Sequence, residues 1–141
     1  MGISKGSAHW EGGLKDGKGA MIPEHAPEAV YSLGSRFEGQ RGSSPEELIG
    51  AALSGCFSMA LAVGLETAGL HPKSIRTSAS VHLDKDGPGF SITSIELTTE
   101  ATVPGASNEV FQKVAEETKK GCPVSKALAG TRISLKATLA S

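Results

Sequence analysis

The chain has 141 residues, long enough for one domain with a real core. Its 14 Lys and Arg against 15 Asp and Glu are spread along the whole length, so there is no basic stripe for a phosphate backbone and nucleic acid is not expected as a partner. Two cysteines are too few for a disulfide framework, they form no C-x-x-C, and the four histidines have no metal-ligand spacing among themselves or with the cysteines, so neither a structural metal nor a thioredoxin motif is expected.

Ser7 to Gly13 and Lys18 to Ile22 read as two short strands around the Gly-rich turn "EGGLKDGKG". Residues 23 to 29 hold two prolines and read as a loop, and Tyr31 to Glu38 as a third strand ending in "EGQRGSS". The next signal is sharp. Ser44 suits a helix N-cap, Pro45 the first helical position, and Glu47 completes an S-x-x-E capping box. That helix is expected to run to about Ala68, with Gly69 at the left-handed position after it and Pro72 just beyond.

From Ile75 the period changes to two: Ile75, Thr77, Ala79, Val81 and Leu83 share a face. "DKDGPG" turns the chain, and Ser91 to Val103 returns as a second strand with an irregularity near Ser94. After Pro104 and Gly105, Ser107 or Asn108 caps a helix that turns Val110, Phe111, Val114 and Ala115 inward and ends on Lys119 and Lys120, the favourable end of the dipole for cations. Gly121 stops it, Cys122 and Pro123 start a short helix to about Leu128, and Thr131 to Leu139 alternates as a last strand. The order β-β-β-α-β-β-α-α-β predicts an α+β fold with mainly antiparallel sheets around a long central helix.

That central helix, "SSPEELIGAALSGCFSMALAVGLETAG", carries no charge from Leu48 to Leu65. Its length approaches a membrane span. Half of those residues are Gly, Ala or Ser, however, and no Lys or Arg flanks either end, so a buried soluble helix is expected, and no membrane partner. A helix apolar on nearly every face must be enclosed on all sides. Two short sheets can hardly wrap about 36 Å of helix, so a homodimer with the two central helices crossing at small residues is the expected cover. The opening "MGISKGSAHWEGG" has no apolar run of the kind a secretory signal needs, which makes the cytoplasm the expected compartment.

Cys56 lies in the middle of this helix, where a thiol can be simply a small buried hydrophobe. A mid-helix thiol gains little from the dipole and loses by desolvation, so a reactive Cys56 requires a cationic partner. Arg36 and Arg41 lie just upstream, and an arginine fork can hold a carboxylate while facing a thiolate; for Arg36 the plain alternative is a surface charge at a strand end. Cys122, between a helix-stopping glycine and a helix-starting proline, places its sulfur near a helix N-terminus, where thiolate is favoured. The two thiols could meet across the fold as a redox pair.

The helix segment "SPEELIGAALSGCFSMAL", with a cysteine ten residues after its first glutamate, "SRFEG" just before it, and "GCPVSKAL" near the C-terminus together resemble the OsmC/Ohr family of thiol peroxidases. The likeness runs from "AHWEGGLKDGKG" to the final strand, as one OsmC-like domain over residues 1–141. It is to the OsmC branch: the first hairpin lacks the arginine of the Ohr branch, and Arg36 fills the OsmC position. Ser44 stands where the family usually has Asn, and both cap helices.

The resemblance implies cysteine-based reduction of organic hydroperoxides in preference to hydrogen peroxide, by an intertwined homodimer without a bound cofactor. It implies Cys56 as the peroxidatic thiol, Cys122 as the resolving thiol that closes a disulfide with it, and Arg36 with Glu46 as the pair that stabilises thiolate and peroxide oxygen. An external dithiol, a lipoyl group on a carrier protein, is implied as reductant. Helix geometry adds a condition: Glu46 and Cys56 are ten residues apart, about 15 Å along a straight helix. Either the Glu46 that serves Cys56 comes from the other subunit, or the helix breaks between them. A non-catalytic stress-related dimer that binds an apolar ligand is the competing expectation, and a protein disulfide oxidoreductase a weaker one without C-x-x-C.

Overall fold

The computed structural model describes residues 2–140, which form two compact units divided between Leu48 and Ile49. The first holds a three-stranded antiparallel sheet in sequence order: β1 (Gly6–Glu11), β2 (Lys18–Pro23) and β3 (Ala29–Tyr31). Trp10, Gly19 and Tyr31 stand in one row across it. A side chain on Gly19 would come within 2.7 Å of the Trp10 ring and 2.9 Å of the Tyr31 ring. Its absence lets the two aromatics meet over the middle strand, with centroids 5.4 Å apart.

The expected third strand over Tyr31 to Glu38 is corrected. Pairing ends at Tyr31, and Leu33–Phe37 form a short helix, α1. The cause is a capping box written with two serines: the Ser32 hydroxyl accepts the Ser35 N–H, and Ser35 Oγ accepts the Ser32 N–H. Ser35 Oγ also donates to the Ser43 carbonyl at 2.8 Å, tying α1 to the segment that leads into the next helix.

That helix, α2 (Pro45–Thr67), is unbroken. Ser44 Oγ accepts the Glu47 N–H at 3.1 Å, while the Glu47 carboxylate accepts from Ser43 Oγ. Gly69 ends it with φ 81°, as expected. Leu53, Phe57, Leu61 and Leu65, four residues apart, are fully buried and pack into a core with Ile95, Leu97, Ala101 and Phe111. The helix is long and apolar enough to cross a membrane, but this buried leucine face makes it the core helix of a soluble fold. Its opposite face is not enclosed within the single chain: Ala52, Gly55, Met59 and Val63 are exposed.

The second unit's sheet has the order β4 (Ser74–Asp86), β5 (Gly89–Thr102), β6 (Arg132–Ala140). The β4–β5 hairpin slips register between His82 and Leu83, opposite Ser94 and Ile92, at the expected irregularity. Among the described residues, β6 runs parallel to β5 in a mainly antiparallel fold, and an isolated parallel bridge joins Tyr31 to Ser43. The two helices between them, α3 (Asn108–Gly121) and α4 (Pro123–Ala127), carry the chain back so that β6 starts from the same end. Ser107 caps α3, whose buried stripe is Phe111, Val114, Ala115 and Thr118. Val110, expected inside, lies in the first turn off this stripe and is 40% exposed.

Candidate active site

Each unit assembles one pair of the four expected site residues. In the first, the α1 cap turns Arg36 toward the first turn of α2. Its Nε donates to Glu46 Oε1 at 2.9 Å and its Nη2 to Oε2 at 2.8 Å, a bidentate fork-to-carboxylate pair. Glu46 is buried while Arg36 is about a third exposed. The hydrogen bond to Glu46 raises the guanidinium further above its already high range, against the opposing effect of burial. The guanidinium also lies over the Phe37 ring, 5.2 Å from its centroid. Beside it opens a cavity of about 200 Å³ lined by Trp10, Leu14, Leu33 and Phe37. Arg41, the other upstream arginine, lines a different cavity with His9, Lys18 and Tyr31.

In the second unit, α2 and the α3–α4 joint bring the two cysteines together. Both are free thiols, Cys56 partly buried and Cys122 buried. Cys122 and the backbone N–H of Val124 stand close enough to Cys56 to influence its thiol, and Cys56 packs against the core cluster that includes Cys122. Burial pushes the Cys56 thiol above its ordinary range; the Val124 N–H opposes this and the neighbouring Cys122 adds to it.

Cys122 is the N-cap of α4, with Pro123 at the first helical position. Its backbone N–H goes to the Thr118 carbonyl at 3.0 Å, closing α3, while its sulfur accepts the Ser125 N–H at 3.4 Å. Ser125 Oγ lies 3.0 Å from the same sulfur. Ser125 was not among the expected site residues. The spacing that marks it is C-x-x-S, the cap-to-third-position offset seen at Ser32 and Ser35.

The expected alternative of a break between Glu46 and Cys56 is corrected, since α2 is continuous through both. Hydrogen bonding of each turn to the next holds the two about 15 Å apart along the axis.

The family model described as "OsmC-like protein" matches residues 37–137. Over 126 residues, 88% of each chain, the sequence is 49% identical to peroxiredoxin OsmC of Escherichia coli (strain K12), and equally to that of Shigella flexneri. Among solved structures, the OsmC-like protein of Mycoplasma pneumoniae superposes with a TM-score of 0.78 at 16% identity over 99% of both chains. The organic hydroperoxide resistance protein OhrB of Bacillus subtilis gives 0.69 at 23% identity over 98% of both. These two share the fold. The chain belongs to the OsmC-like family. Its activity is that of a peroxidase.

Proposed function

We propose that this peroxidase reduces organic hydroperoxides through its two thiols, with hydrogen peroxide the poorer substrate. The observation that carries the proposal is the placing of Cys56 against the core cluster that includes Cys122, close enough for Cys122 to influence its thiol. In the first step the Cys56 thiolate attacks the outer oxygen of ROOH, the O–O bond breaks, and Cys56 becomes a sulfenic acid while RO⁻ leaves and is protonated to the alcohol. In the second, Cys122 attacks the sulfenic sulfur, a disulfide forms, and water leaves. An external dithiol, a lipoyl group on a carrier protein, then exchanges with the disulfide and restores both thiols.

Arg36 and Glu46 take the roles of thiolate stabiliser and guanidinium anchor. The bidentate pairing supports this, because it fixes the plane of the fork and leaves the remaining N–H groups for a second anion. The cation that a reactive Cys56 requires is supplied across a homodimer, with Arg36 and Glu46 of one subunit serving Cys56 of the other. The unbroken α2 supports that arrangement. The apolar Trp10, Leu14, Leu33 and Phe37 beside Arg36 support a carbon-rich peroxide, since hydrogen peroxide gains nothing from apolar walls. The name of the B. subtilis relative, an organic hydroperoxide resistance protein, points the same way. The family match, which runs through both units, supports one functional domain over residues 1–141, working in the cytoplasm.

The test is intact mass after one equivalent of cumene hydroperoxide, with and without an alkylator. Loss of about two mass units per chain, with both thiols then blocked, is the expected result. An unchanged mass with both thiols still alkylated on unfolding returns Cys56 to core packing and the protein to a non-catalytic role.

A further inference from the structure

We infer that Ser125 is a catalytic residue of the disulfide-closing step, acting on the sulfur of Cys122; the inference rests on the two-thiol cycle proposed above. Ser125 is 6% exposed and Cys122 is 2% exposed. The Cys122 sulfur therefore has little water to solvate a charge when its proton departs. Ser125 contributes both a hydroxyl at 3.0 Å and a backbone N–H at 3.4 Å to that sulfur. While Cys122 is a thiol, its S–H can donate to Ser125 Oγ. Once the proton leaves, the hydroxyl rotates and donates, so that the sulfur is held by an O–H and an N–H together. No backbone movement is needed for this reversal.

The step balances as Cys122–SH plus Cys56–SOH giving the Cys56–Cys122 disulfide and water. The S–S bond forms as the S–OH bond of Cys56 breaks, and the Cys122 proton ends on the departing hydroxyl. The Cys122 sulfur is oxidised and the sulfenic sulfur reduced to the disulfide level. Ser125 gains and loses nothing overall; it stabilises the charge on the attacking sulfur and holds it toward Cys56. Its side chain has no part in the earlier attack of Cys56 on the peroxide, so the two steps separate its effect.

Ser125→Ala removes the hydroxyl and keeps the backbone donor, and alanine is the better helix former, so α4 is retained. The reduced full-length protein is mixed with one equivalent of cumene hydroperoxide, quenched at intervals with dimedone for sulfenic acid and N-ethylmaleimide for thiols, and read by mass. In the variant, peroxide consumption keeps its rate. Disulfide closure slows about tenfold, the size expected for one hydrogen bond to a charged group. The dimedone adduct of Cys56 accumulates, and excess peroxide drives more of it to sulfinic acid. Ser125→Thr, which restores a hydroxyl, recovers the closure rate.

Closure at the wild-type rate in Ser125→Ala overturns the inference. So does equal slowing of both steps with no recovery in Ser125→Thr, which marks a packing role. If the wild type itself consumes peroxide without ever forming the disulfide, the two-thiol cycle fails first, and the inference with it.

Discussion

Cys56 sets the central chemical problem of this molecule. Burial pushes its thiol upward, with the Val124 N–H opposing the shift and Cys122 adding to it. With the acid form favoured, less thiolate is present at neutral pH, so a peroxidatic role demands a cation that lowers the value again. The Arg36 fork, already fixed by Glu46, is the group proposed to do so. Arg36→Lys keeps the charge but not the bidentate geometry. Its expected effect is to move the pH midpoint of Cys56 alkylation upward and to slow peroxide turnover about tenfold or more. Iodoacetamide labelling across pH, with Cys122 changed to serine in both proteins so that one thiol reports, reads the first; an unmoved midpoint leaves Arg36 a surface ion pair. Cys56 and Cys122 stood out in the sequence because thiols are few and a Gly-Cys-Pro joint marks a helix start. That they could meet was raised from the sequence, but their packing depends on how α4 folds back on α2. Ser125 escaped notice because a serine three residues into a short helix is commonplace until its hydroxyl is found against the Cys122 sulfur.

At the scale of elements, the chain was most legible where it caps and turns. Ser44 with Pro45 opens α2, Gly69 closes it with positive φ, and Ser107 opens α3. Each of these residues has a local physical task independent of tertiary packing. Legibility failed at α1, where Gly34 lowers helix propensity and the capping box uses Ser35 instead of Glu or Gln. It also failed for the direction of β6, because a period of two does not distinguish parallel from antiparallel pairing. The contact between α2 and α3 offers a test of how tightly these elements are fitted. A side-chain carbon on Gly64 would lie 2.7 Å from Val114 Cγ1, and valine is stiff at χ1 and cannot swing clear. Gly64→Ala gains up to about 1 kcal/mol in helix propensity, but overpacking of about 1–3 kcal/mol is expected to outweigh it. The urea midpoint should therefore fall. A higher midpoint in Gly64→Ala would mean that α2 and α3 have slack at their crossing.

Across the whole molecule, two observations made on separate units ask for the same partner. Among the described residues, every buried hydrophobic side chain belongs to the second unit. The first unit, with Trp10, Leu14, Ile22, Val30 and Phe37 exposed, has no buried hydrophobic core of its own. Independently, α2 presents Ala52, Gly55, Met59 and Val63 to solvent on the face opposite its buried leucines. Met59 is 75% exposed and Val63 57%. These spacings of three and four residues make one continuous stripe, small at one end, which suits close approach of a second helix of the same kind. A second copy of the chain meets both needs, because a two-fold axis presents the same stripe to itself. Met59→Glu is the sharpest probe of that arrangement. On an isolated chain it replaces one exposed side chain by another and should change stability by less than about 0.5 kcal/mol. In a dimer closed through α2 it places two carboxylates in an apolar seam, where neither has a counter-charge. The expected outcome by light scattering is a dimer for the wild type and a monomer for the variant. Peroxide turnover should fall with the mass under the proposed sharing, in which Arg36 and Glu46 of one subunit serve Cys56 of the other. A variant that is monomeric yet fully active would keep the dimer and remove the shared site. A wild type that is itself monomeric and active would leave the stripe on α2 without that role.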